Sequence, residues 1–247
     1  EERELMKLLA SQLSDLQGHE ITDIVLHSLG QELNPATVLK VGACDGVFDD
    51  LTIGWINSYG MNVIYVEPIP EMCEKLRENV KALSGDVSIY ECAVSDTPGS
   101  IEMCMIPTEY LGKETPNGLF VHPALLGMGS VWPPKNGLAT NEHDVKVLEE
   151  IGVRFNVQAR TLDSILTEAS PTSIDLLSID TEGHDWIILQ QFDFVKYSPY
   201  WVEVEVCNMS EEDRQKAQDF LKVNGYHVYS SERDAYAIRS DLIDWTQ

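Results

Sequence analysis

The sequence predicts an α/β fold with a mostly parallel sheet, and three observations predict it. An apolar run after Pro35, Val38-Leu39-Lys40-Val41, breaks into two close glycines, Gly42 and Gly46, and then into a helix-compatible segment at 51–59. A second buried run at 62–68 ends in an acid, Glu67, and a third at 174–180 ends in Asp180. A strand covered on both faces need not alternate apolar with polar residues, so the unbroken runs suit a buried parallel sheet. Strand, glycine turn and helix open a nucleotide-binding α/β unit, in which backbone N–H groups and a helix N-terminus face the ligand.

The remaining elements follow in order. Leu5, Leu9, Leu13 and Leu16 recur at helical spacing up to Gly18, and 21–29 reads as a second short helix. Both are expected to pack beside the sheet or to cover a substrate. Glu67 lies 21 residues after Gly46. In nucleotide folds an acid at that distance accepts hydrogen bonds from ribose hydroxyls; a solvated strand-end acid is the other reading. The spacing predicts an amphipathic helix at 70–83 and a third strand at 87–94. A further strand is expected at 99–106.

From 107 to about 141 no period survives. Prolines and glycines alternate there, with Tyr110, Phe120 and Trp132 among them. So long an irregular stretch in one domain reads as a lid or binding loop. Helix is expected at 144–151, strand at 154–159, and a capped helix at 161–169. After Asp180 come Thr181-Glu182-Gly183-His184-Asp185 and the start of a helix at 186. In 200–206, Val202, Val204 and Val206 share one face, and Glu203 and Glu205 the other. A helix at 211–223 stops at Asn224-Gly225, and a hairpin closes the chain at 226–239.

The length of 247 residues suits one such domain. The formal charge of −24, from 41 acidic and 17 basic residues, argues against a nucleic-acid or anionic-membrane partner. Solvated acids that keep the chain dispersed account for it, and a cation-binding face is the alternative. Five cysteines, an odd number with no Cys-x-x-Cys pair, predict neither a disulfide framework nor a structural zinc site, and favour a reducing, cytoplasmic compartment. No apolar run is long enough to span a bilayer. The first residues, Glu-Glu-Arg-Glu, are the wrong chemistry for a signal peptide. They lack an initiator Met, as a trimmed product or a domain cut from a longer chain would.

The glycine turn, Glu67 and Asp180 are expected at one sheet edge, where ligands of open α/β sheets bind. Gly42-Ala43-Cys44-Asp45-Gly46 is not the Gly-x-Gly-x-x-Gly of dinucleotide dehydrogenases. It resembles, with Val47 and Asp50, the first motif of the FkbM-type methyltransferases. Val66-Glu67-Pro68-Ile69-Pro70 resembles the family's second motif, and Ala93-Val94-Ser95-Asp96 its segment against adenine. The run from Ile174 through Asp180-Thr181-Glu182-Gly183 is similar to its most specific signature.

The resemblance implies a Rossmann-like class I methyltransferase fold, a seven-stranded mostly parallel sheet with a C-terminal antiparallel hairpin and helices on both faces. The likeness runs from about Val38 to Val206; with the leucine spacing and the irregular stretch it gives N-terminal helices at 1–34, a donor-binding domain at 35–247 and a substrate lid at 107–141. It implies S-adenosylmethionine (SAM) as methyl donor and a small-molecule hydroxyl, on a sugar or natural product, as acceptor. The donor residues would be Gly42, Ala43, Asp45, Gly46 and Asp50 in the turn, Glu67 and Pro68, Cys92 and Ala93, and Asp180. Asp180, Glu182 and His184 would carry the chemistry, Trp132 and Glu205 would meet the acceptor, and no metal is expected. Two departures stand out: Lys40 where many SAM enzymes carry an acid, and Cys44 where the family often has Asn. Two alternatives remain at this point. One is a SAM- or nucleotide-binding module without turnover. The other is a metal-assisted methyltransferase using Asp180, Glu203 and Glu205.

Overall fold

The computed structural model describes residues 27, 35–48, 52–134 and 141–242. Along the chain it forms β1 (Thr37–Val41), α1 (Thr52–Tyr59), β2 (Asn62–Glu67), α2 (Pro70–Val80), β3 (Val87–Glu91), β4 (Ala93–Val94), β5 (Gly99–Met105) and β6 (Gly129–Val131). There follow α3 (Glu142–Ile151), β7 (Val153–Arg160), α4 (Leu162–Ala169), β8 (Leu176–Ile179), α5 (Asp185–Leu189), β9 (Trp201–Glu205), α6 (Glu211–Val223), β10 (Tyr226–Ser230) and β11 (Asp234–Arg239). The helices expected at 2–16 and 21–29 lie outside the described residues, apart from His27, as does Asp50.

Seven strands make one sheet in the order β10-β11-β9-β8-β1-β2-β3. β11 is antiparallel to both its neighbours, and the other pairings are parallel. The unbroken apolar runs are explained by cover on both faces. Leu39, Val41, Leu177 and Ile179 pack with residues of α4, α5 and α6. Val38, Val63 and Tyr65 face the other way, onto Ile56 of α1 and Leu76 of α2. Strand order reverses at β1, whose neighbours β2 and β8 lie on opposite sides. Val41 is in register with Val66 and with Ile179. The next residue of each strand is therefore Gly42, Glu67 and Asp180, side by side at one edge. At the opposite edge Asp175 accepts from Thr37 N at 2.7 Å and ties β1 to β8.

Two expectations are corrected. The strand expected at 87–94 is two strands. The chain bends at Cys92, whose N–H bonds Tyr90 O at 3.1 Å, and β4 leaves the main sheet to pair with β7. A second sheet results, in the order β4-β7-β5-β6. Over 107–134 the irregular segment is also more ordered than its composition suggests. Its β6 is bonded to β5, Glu114 and Phe120 form a bridge, and Val121 and Leu125 pack on Val147 and Leu148 of α3. Glycine and proline mark turns there, while buried side chains too widely spaced for a period supply the core. Among the described residues no helix is long and apolar enough to cross a membrane, and all five cysteines are free thiols.

Candidate active site

A cleft of about 340 Å³ opens at the carboxyl edge of β1, β2 and β8. Its floor is the glycine turn. Gly42 has φ +85, and a Cβ there would lie 1.6 Å from Asp180 O, so only glycine lets the turn and the β8 loop close on each other. The second sheet forms the roof, through Ile101, Met103 and Val131. The strap at 126–129 closes one end so tightly that a Cβ on Gly127 would meet Cys44 Sγ at 2.3 Å.

Glu67 is 3% exposed. Its Oε2 accepts from Cys44 N and its Oε1 from Ile69 N, both at 2.8 Å. Each oxygen keeps a lone pair for a further donor. Burial pushes its carboxyl up to about 8, against those two bonds. The Cys44 thiol, buried and beside Glu67, is pushed up to about 12 and stays protonated.

The loop after β8 is shaped by Asp185, a fully buried acid to which sequence reasoning assigned no role. It accepts from Thr181 N at 2.7 Å, Thr181 Oγ1 at 2.9 Å and Gly183 N at 3.0 Å. Burial, and next the charge of Asp180, push it up to about 7. The loop holds Glu182 at φ 57, a left-handed conformation that costs a non-glycine residue roughly 1–2 kcal/mol. Glu182 lines the cleft beside Asp180 and His184. Burial and Asp180 raise its carboxyl above the ordinary range, and burial lowers His184. Behind Glu182 lies Glu205, 2% exposed and raised by the same causes in the same order. Asp180, Glu182 and Glu205 each offer an oxygen within 4.8 Å of the others, a spacing that could hold a cation.

Of the residues singled out from sequence, the cleft is lined by Gly42, Ala43, Glu67 and Pro68, by Cys92 and Ala93, and by Asp180, Glu182 and His184. Asp45 and Gly46 do not line it. The Asp45 carboxylate accepts from Val47 N and Phe48 N within its own turn, and Gly46 packs on Leu76. Trp132 lies under the Arg154 guanidinium, 4.3 Å from its ring centroid, and the adjacent Val131 reaches the cleft instead. Glu205 stands behind the wall. Lys40 and Arg233 are lining cations. Arg233 comes from the β10–β11 turn, and no local motif distinguishes it in sequence. Asn208, which bonds both Glu182 and Glu205, was equally silent.

A mostly parallel sheet of this strand order, closed by the antiparallel β11, with a glycine turn and a buried acid in register at its reversal point, is the fold of class I SAM-dependent methyltransferases. The chain belongs to the FkbM methyltransferase domain family, whose model matches residues 40–228, and its methyl donor is SAM. No curated protein sequence matches it. Among solved structures it is similar to the methyltransferase FkbM of Methylobacillus flagellatus KT, with 10% identity and a TM-score of 0.48 over 83% of this chain and 44% of that one. The chain thus spans less than half the length of that relative. It is also similar to the O-methyltransferase of Bacillus cereus in complex with SAH, the demethylated donor (10% identity, TM-score 0.44, 96% and 90% covered). A third is precorrin-6y C5,15-methyltransferase of Geobacter metallireducens GS-15 (13%, 0.42, 90% and 88%).

The lining suits SAM chemically. Glu67 has lone pairs left for a further donor, such as a ribose hydroxyl would supply, Ala93 and Met103 give an apolar wall against which a purine would fit, and the Asp180 carboxylate carries the charge that would suit an ammonium group.

Proposed function

We propose that the protein transfers the methyl group of SAM to a hydroxyl oxygen of a small molecule, a sugar or natural product, with Glu182 as general base. The observation that carries this reading is Glu182 itself, a carboxylate held in a strained backbone conformation at the cleft wall. Strain of this kind concentrates at functional sites. Bound SAM supplies an electrophilic methyl on a sulfonium. The chain's residues then align, exclude water and move a proton. Glu67 and Asp180 orient the donor, Asp180 in place of the acid that Lys40 replaces. The roof and the described part of the irregular segment, 107–134, cover the acceptor side. Alignment of two reactants in a dry site is worth about 7–11 kcal/mol in intramolecular analogues.

An alcohol must lose its proton as the new bond forms, and a positioned base contributes about 10²–10⁴-fold. Glu182 accepts that proton, and its raised pKa suits a base working near neutrality. His184, kept neutral by burial, orients the acceptor. Glu205 supports Glu182 from behind. The charge of −24 favours a small acceptor over a nucleic acid.

The test is the pH–rate profile of Asp180→Asn, Glu182→Gln and His184→Ala, each with donor binding measured separately. Because burial moves Glu182 up and His184 down, the position of the acid limb alone does not separate them; the variants do. Glu182→Gln should lose about 10²-fold or more in kcat and the acid limb with it. A full limb in Glu182→Gln, and its loss in His184→Ala, would transfer the role to the histidine.

A further inference from the structure

Glu182 is held from behind by a single amide. Asn208 follows β9 in a tight turn and is 7% exposed. Its Nδ2 donates one hydrogen to Glu182 Oε2 at 2.9 Å and the other to Glu205 Oε2 at 2.8 Å. Both partners are carboxylates, so the amide must present its NH2 end, and the two hydrogens of that group are both used. The turn carrying Asn208 is fixed in its own right, since Val206 N and Cys207 N both bond Arg233 O, at 2.8 and 2.9 Å. Neither Asn208 nor Glu205 lines the cleft, whereas Glu182 does.

We propose that Asn208 is a positioning residue for methyl transfer: its amide clamps Glu182 to the buried Glu205 and so fixes the carboxylate that takes the acceptor's proton. This rests on Glu182 as the base. The clamp solves a physical problem. A glutamate on a left-handed backbone has three side-chain torsions to restrain, and two like carboxylates repel. One NH2 group between them gives each carboxyl group a hydrogen bond and holds both in one geometry.

The experiment is a double-mutant cycle on the intact chain with one accepted substrate, measuring kcat, acceptor KM, SAH affinity and melting temperature. Asn208→Ala should lower kcat about 10–100-fold with SAH affinity unchanged. In the Glu182→Gln background the same change should cost less than 2-fold, because nothing remains to be positioned. Asn208→Ser, whose hydroxyl donates to one carboxylate at a time, should fall between wild type and Ala and serves if Ala fails to fold. Full activity in both Asn208 variants overturns the proposal. So does a loss that adds in full to that of Glu182→Gln, which is what a merely structural residue would give. If Glu182→Gln is itself fully active, the base reading fails, whatever Asn208 does.

Discussion

Glu67→Gln separates the chemistry of the donor acid from its packing. In the folded protein the Glu67 carboxyl is pushed up to about 8 by burial, from an ordinary value of 4.5. Between those values the folded chain holds a proton that the unfolded chain has released. The stabilisation is therefore full below the unfolded value and is lost as pH rises through about 8. The slope reaches roughly 1.4 kcal/mol per pH unit, so on the order of 2–3 kcal/mol disappears between pH 5.5 and 7.5. Glutamine cannot titrate. It also turns an NH2 toward one of two backbone N–H groups, from Cys44 or Ile69, at a cost of about 1–3 kcal/mol. Urea melts of both proteins across that range should show the variant less stable at acid pH and the gap narrowing by on the order of 2–3 kcal/mol as pH rises. Comparing the two removes the contribution of the other acids and of net charge. A gap that stays constant would refute a buried, proton-holding Glu67.

Gly42→Ala should destabilise the chain by at least 3 kcal/mol, since a Cβ would lie 1.6 Å from Asp180 O at φ +85; thermal melts will read this, and a near-native melting temperature would mean that the turn relaxes. A chelator such as EDTA should leave the rate within 2-fold, because Glu182 as the base takes the acceptor's proton without a metal; a large loss restored by a divalent cation would favour a metal at Asp180, Glu182 and Glu205.

What the sequence made legible was the part governed by local rules. The runs ending at Val41, Glu67 and Asp180 are buried on both faces, which leaves a continuous apolar signature, and the glycine turn has a steric cause that only glycine satisfies. The cap of the helix at 161–169 was legible for the same reason: Thr161 accepts from Ser164 N. The second sheet was not legible, because the break between β3 and β4 rests on a bend at Cys92 inside a run that reads as one strand. Nor were Asp185, Asn208 and Arg233. Asp185 acts on Thr181 and Gly183, in the loop just before its own helix. Asn208 and Arg233 act across the sheet, and spacing along the chain carries no trace of such contacts. Asp45 and Trp132 show the converse. A residue type suited to ligand binding was used by its own turn in one case and by a neighbouring guanidinium in the other.

The central claim is that SAM occupies the cleft at the reversal point of the sheet, with Glu67 as a ribose acceptor. Isothermal titration of SAH into wild type and Glu67→Ala tests it most directly, because binding is read without knowing the methyl acceptor. The account predicts one SAH per chain, affinity weakened about 10-fold or more in the variant by loss of the ribose hydrogen-bond partner, and no saturable binding of NAD. Equal SAH affinity in the two proteins, or NAD binding with no response to SAM or SAH, would contradict it.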